Sequence, residues 1–94
     1  MNKIPYEERC EVYLKAIWKF GTSLQLLVAV EELSELQKEL CKVLRGEGNS
    51  EALAEEMADV TIMMEQLRLI FGVDDEVCEA MDAKIERLKE KVSG

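Results

Sequence analysis

An all-α fold, a bundle of four helices, is what this sequence predicts, and three observations carry it. Apolar residues recur with a helical period, and no stretch alternates as a strand would. Glycine and turn-forming residues cluster at only three internal places, "FGTS" at 20–23, "GEGNS" at 46–50 and "FGVDD" at 71–75. The single proline lies near the start, and 48% of the residues are hydrophobic. Nothing therefore breaks a helix inside a segment, and the chain has the apolar content of a packed fold.

Each helix has a local reason to begin where it does. Helix 1 can open at Pro5, a favoured first-turn residue, with Glu7 and Glu8 near the positive end of its dipole. Helix 2 follows Thr22, which with Gln25 spells a T-x-x-Q capping box. Helix 3 follows Asn49 or Ser50 as cap. Helix 4 starts at Asp74, with Val73 and Cys78 spaced as a hydrophobic staple. The short break between helices 2 and 3 predicts a long antiparallel hairpin, and residues 1–94 form one domain, since a chain of this length holds a single core.

Charge and cysteine content narrow the function classes. The 20 acidic and 12 basic residues give a net charge of −8, and no Lys/Arg run relieves it, which disfavours a nucleic acid polymer as partner. No apolar run reaches membrane-spanning length, so no membrane partner is expected, and "MNKIPYEERC" does not read as a secretory signal. Cys10, Cys41 and Cys78 form no CxxC and are odd in number, which suggests neither zinc nor a disulfide framework. They read as buried free thiols in a reducing, cytoplasmic setting.

The chemistry lies in two stretches, "VAVEELSELQKEL" at 28–40 and "LAEEMADVTIMMEQL" at 53–67. Acidic residues three apart also occur elsewhere, as a chain this acidic produces by chance, so the face each pair occupies matters more than its spacing. At ~100° per residue, Glu56 falls within the apolar arc of Leu53, Met57, Val60, Met63, Met64, Leu67, Ile70 and Phe71, with Asp59 at its edge. Glu32 projects between Val28 and Val43, with Glu35 at the margin. Glu79, Asp82, Glu86 and Glu90 instead lie away from the stripe Val77, Met81, Ile85 and Leu88, as solvated charges do.

If helices 2 and 3 pack through these arcs, four carboxylates converge, and such a cluster needs protons or cations. An all-oxygen set suits Mg²⁺ or Mn²⁺ better than zinc. The absence of histidine argues against a di-iron bundle. "DDEVCEAMDAK" lacks the glycine and ligand order of an EF-hand. The competing reading keeps the carboxylates as a solvated rim, and the chain as an acidic helical interaction module without catalysis. A metal-storage or sensing bundle is a third class.

The words Glu31-Glu32-x-x-Glu35 and, twenty residues on, Glu56-x-x-Asp59 resemble the EExxE…ExxD motif of the MazG-type all-α nucleoside triphosphate pyrophosphohydrolases. The likeness covers roughly residues 17–91, including Gln25, "LRGEGN" at 44–49 and "KIERLKEK" on helix 4, and looks like the small single-domain branch. It implies Mg²⁺-dependent cleavage of a nucleoside triphosphate between its α and β phosphates. Glu32, Glu35, Glu56 and Asp59 would then be the metal ligands, and Glu31 or Glu35 would accept the proton of the attacking water. Lys84 and Arg87 match basic positions that grip phosphates, although pairing with Glu86 and Glu90 would explain them equally. Gln25 would reach the base or ribose. The family likeness also implies a homodimer or homotetramer. The wide spread of Leu24, Leu26, Leu27 and Val30 around helix 2 points the same way. Trp18 and Phe20 are expected in the core.

Overall fold

The three glycine-bearing breaks do divide the chain into helices. A computed structural model describes residues 2–94 and contains α1 (Tyr6–Phe20), α2 (Thr22–Leu44), α3 (Ser50–Phe71) and α4 (Asp74–Ser93), with no strand among those residues. Pro5 stands just outside α1, and its carbonyl accepts the Arg9 N–H at 3.0 Å. Asn49 caps α3: its Oδ1 accepts the backbone N–H groups of Glu51 and Ala52, at 2.9 and 3.1 Å. Gly72 closes α3 in the left-handed region (φ 63°), where the Val73 N–H reaches back to the Arg68 carbonyl at 3.1 Å.

One expected cap and one expected staple do not form. Gly21 alone (φ 90°) separates α1 from α2 and takes the N-cap position, so Thr22 is already helical and its hydroxyl caps nothing. The Gln25 side chain turns inward instead of back toward the helix start. At α4, Val73 is itself the N-cap residue and Cys78 is exposed, so the two do not make the expected staple.

Packing centres on α2 and α3, which share the largest contact. Gln25, early in α2, donates to Gln66, late in α3, while Glu32, further along α2, meets Asp59, earlier in α3. α1 packs on both helices, tied down where Arg9 Nε and Nη2 reach Glu65 at 3.1 and 2.9 Å and the Tyr13 hydroxyl donates to the same carboxylate. α4 touches α3 alone, through Arg68, which pairs with Asp74 at 3.3 Å and reaches the Met81 sulfur at 3.5 Å. Every residue from Cys78 to Gly94 is exposed.

The resulting core is thin. Tyr13, Ala29 and Met63 are its buried apolar residues, joined by Gln25 and Gln66. The radius of gyration is 15.8 Å, against about 12 Å for a compact domain of this length. Trp18 is 92% exposed and Phe20 is exposed too, contrary to the expectation of core packing. The reason is rotational: α1 presents Arg9, Tyr13 and Ile17 to its neighbours, and Trp18 projects from another side. Cys41 and Cys78 are likewise exposed rather than buried, Cys10 is half-buried, and all three are free thiols.

Candidate metal centre

The α2/α3 contact decides which carboxylates meet. Glu32 and Glu56 are half-buried in that contact, and Asp59 stands one turn beyond Glu56 at its exposed edge. Each offers an oxygen within 4.8 Å of the others. One oxygen of Glu56, Oε2, is buried without a hydrogen-bond partner. A carboxylate oxygen removed from water and left unpaired is costly, and it is where a cation would be favoured most.

The electrostatics point the same way. Burial pushes the Glu32 carboxyl above its ordinary range, followed by a hydrogen bond with Asp59 and then by the charges of Asp59, Glu56 and Glu35. Burial also raises Glu56, with the charges of Asp59, Glu35, Glu39 and Glu55 behind it. Both shifts mean that the charged forms of Glu32 and Glu56 are disfavoured here without a counter-charge. Three oxygen donors, an orphaned oxygen and no nitrogen or sulfur ligand suit a hard divalent cation such as Mg²⁺ or Mn²⁺.

The other residues singled out in the sequence fall into different places. Glu35 and Glu31 are exposed and stand outside the converging trio, although the Glu35 charge is felt by both Glu32 and Glu56. Gln25 is buried, and its amide nitrogen donates to Gln66 Oε1 at 2.7 Å. Lys84 and Arg87 share a shallow cleft of ≈ 270 Å³ on α4 with Leu88 and Lys91, and α4 makes no contact with α2. Among the described residues neither Lys84 nor Arg87 pairs with a carboxylate.

Sequence reasoning missed the polar network that seats α1. Arg9, Tyr13 and Glu65 line a cleft of ≈ 660 Å³ between the N-terminal segment, α1 and α3, floored by Val12, Ala58 and Ile62. Arg9 holds the Glu65 carboxyl below its ordinary range, and burial with the Glu65 hydrogen bond pushes the Tyr13 hydroxyl up to about 12. Gln66, the partner of Gln25, was missed as well. Nothing local marks these residues, because each acquires its partner only through helix register.

No family model matches the chain, and no curated protein or solved structure matches it either.

Proposed function

We propose that this protein is a Mg²⁺-dependent nucleoside triphosphate pyrophosphohydrolase of MazG type. The reading rests above all on one observation: Glu32, Glu56 and Asp59 of the EExxE…ExxD words bring oxygens within 4.8 Å of one another, and one oxygen of Glu56 is buried with no protein partner. In the reaction, water adds to the α phosphorus, the bond from that phosphorus to the bridging oxygen breaks, and pyrophosphate leaves a nucleoside monophosphate behind. Glu32, Glu56 and Asp59 would hold the ion. When bound, Mg²⁺ supplies neutralisation of phosphate charge and a lowered pKa for water. Glu35 or Glu31, exposed beside the trio, takes the proton released by the attacking water. Lys84 and Arg87 grip phosphates. Mn²⁺ satisfies the same donors, and a homodimer or homotetramer buries the apolar surface that one copy leaves exposed.

Pyrophosphate release from a panel of NTPs, dNTPs and phosphoribosyl-ATP, with Mg²⁺ and with chelator, tests the reading. Release with Mg²⁺ only, and monophosphate as coproduct, is the expected result. Diphosphate and inorganic phosphate as products, or no turnover by folded protein, would overturn it. The second reading, an acidic helical interaction module, draws on the many large apolar side chains at the surface. It predicts an inert panel.

A further inference from the structure

Two polar pairs join α2 to α3, and each helix presents both of its partners on one face. Gln25 stands seven residues before Glu32, and Gln66 stands seven residues after Asp59. Seven residues fall only ~20° short of two full helical turns, so each glutamine points much the same way as its acidic companion. Gln25 Nε2 donates to Gln66 Oε1 at 2.7 Å, and Glu32 and Asp59 bring oxygens within 4.8 Å of each other and of Glu56. Between the pairs along the two helices come Ala29 and Met63, both buried.

The glutamines are the two buried polar residues among those described, at 6% and 5% exposed. An amide pair is satisfied at one offset and one rotation of its helices, because its donors and acceptor are directional. Apolar contacts carry no such requirement, and a methionine side chain adapts to small shifts. A slip of α2 against α3 therefore strands two dry amides while it costs Ala29 and Met63 little. Fixing register is the best-attested use of a buried polar pair. Residues 45–49 connect the end of α2 to the start of α3, and along each helix the carboxylates lie between that connection and the glutamines.

We propose that Gln25 and Gln66 are positioning residues, whose hydrogen bond sets the offset of α2 against α3 that brings Glu32 to Glu56 and Asp59. The proposal deepens the metal-centre reading and rests on it for its consequence in binding and turnover. It gives Gln25 a role through Gln66, in place of the contact with base or ribose that the resemblance implies.

Leucine at both positions fills a similar volume and leaves no amide unpaired, so the Gln25→Leu/Gln66→Leu double variant separates stability from register. In chelator it is expected to melt at or above the wild-type temperature. Its Ala29 and Met63 methyl NMR signals, single in wild type, are expected to split or broaden as several offsets become populated. Its Mg²⁺ dissociation constant, read from melts across a Mg²⁺ titration, is expected to rise about 10-fold or more. Gln25→Met/Gln66→Met, with unbranched side chains like the originals, is the second such variant and is expected to behave alike. Methyl signals that stay single in both variants overturn the proposal, whatever the metal does. Split signals with an unchanged Mg²⁺ dissociation constant overturn it as well.

Turnover distinguishes positioning from substrate contact. In the double variant kcat is expected to fall about 10-fold or more, with KM for the nucleotide little changed. A raised KM with kcat and the Mg²⁺ constant unchanged marks Gln25 as a nucleotide contact and overturns the proposal. A wild type that binds Mg²⁺ without turnover sinks the pyrophosphohydrolase reading, and the methyl signals and Mg²⁺ constant still decide the register. A wild type without any Mg²⁺ response sinks the metal reading, and split methyl signals in the variants then still uphold the glutamine lock.

Discussion

Glu56 has a buried oxygen with no partner, whereas Glu65 accepts from Arg9 twice and from Tyr13 once. The two carboxylates therefore respond to pH in opposite senses. Glu65 is held low by Arg9, so its contribution to stability is present above about pH 4.5 and is lost as pH falls through its folded value. Glu32 and Glu56 are raised by burial, so stability from their protonation is present below about pH 4.5 and is lost as pH rises through their folded values. Metal-free protein is expected to melt higher in mildly acidic buffer than at neutral pH, then lower again as Glu65 protonates. Melts across pH in chelator check this, and a melting temperature that only falls from neutral pH downward contradicts it. For turnover, Glu32→Gln and Glu56→Gln each remove a ligand charge and are expected to lower kcat by about 10²-fold or more with helicity intact. Glu79→Gln, on the solvated side of α4, is expected to leave the rate unchanged. Equal effects in all three variants would contradict the separation of faces. At this scale, the helical projection alone put Glu32 and Glu56 among apolar neighbours. Glu65 and Gln66 were not legible, because a polar residue within a periodic run looks solvated until a second helix supplies its partner.

At the scale of the helices, the ends were the readable part wherever the signal was backbone chemistry. Asn49 accepts two orphan N–H groups of α3, and Gly72 supplies the positive φ that closes it. Asn49→Ala is expected to cost about 1 kcal/mol, seen as a lower denaturation midpoint at unchanged slope. An unchanged midpoint would mean that water satisfies those two donors equally well. The α1/α2 junction was misread because T-x-x-Q is a capping box only when the threonine stands outside the helix. A one-residue turn at Gly21 leaves it no room there. The path of α4 was also illegible: an amphipathic stripe states that a face will be covered and is silent on what covers it.

For the whole molecule, a thin core and a large exposed apolar surface sit beside an unpaired carboxylate cluster. Both features lower the stability of a single metal-free copy. The sequence carried the class of fold and the acidity of the hairpin, whereas the expanded shape follows from α4 diverging after Arg68, which no local pattern encodes. Cation binding and assembly are each expected to raise the melting temperature, and only the first depends on Glu56. The most direct test of the carboxylate site is therefore a thermal melt of wild type and Glu56→Leu, each with Mg²⁺ and with chelator, at one protein concentration. In wild type, Mg²⁺ at one hundredfold its dissociation constant contributes ~2.7 kcal/mol, a rise on the order of 10 °C for a domain of this size. Glu56→Leu is expected to exceed wild type in chelator, having lost a buried unpaired oxygen and its repulsion, and to respond little to Mg²⁺. A Glu56→Leu protein less stable than wild type in chelator, or one that keeps the full Mg²⁺ response, would contradict the assignment of Glu56 as the central ligand.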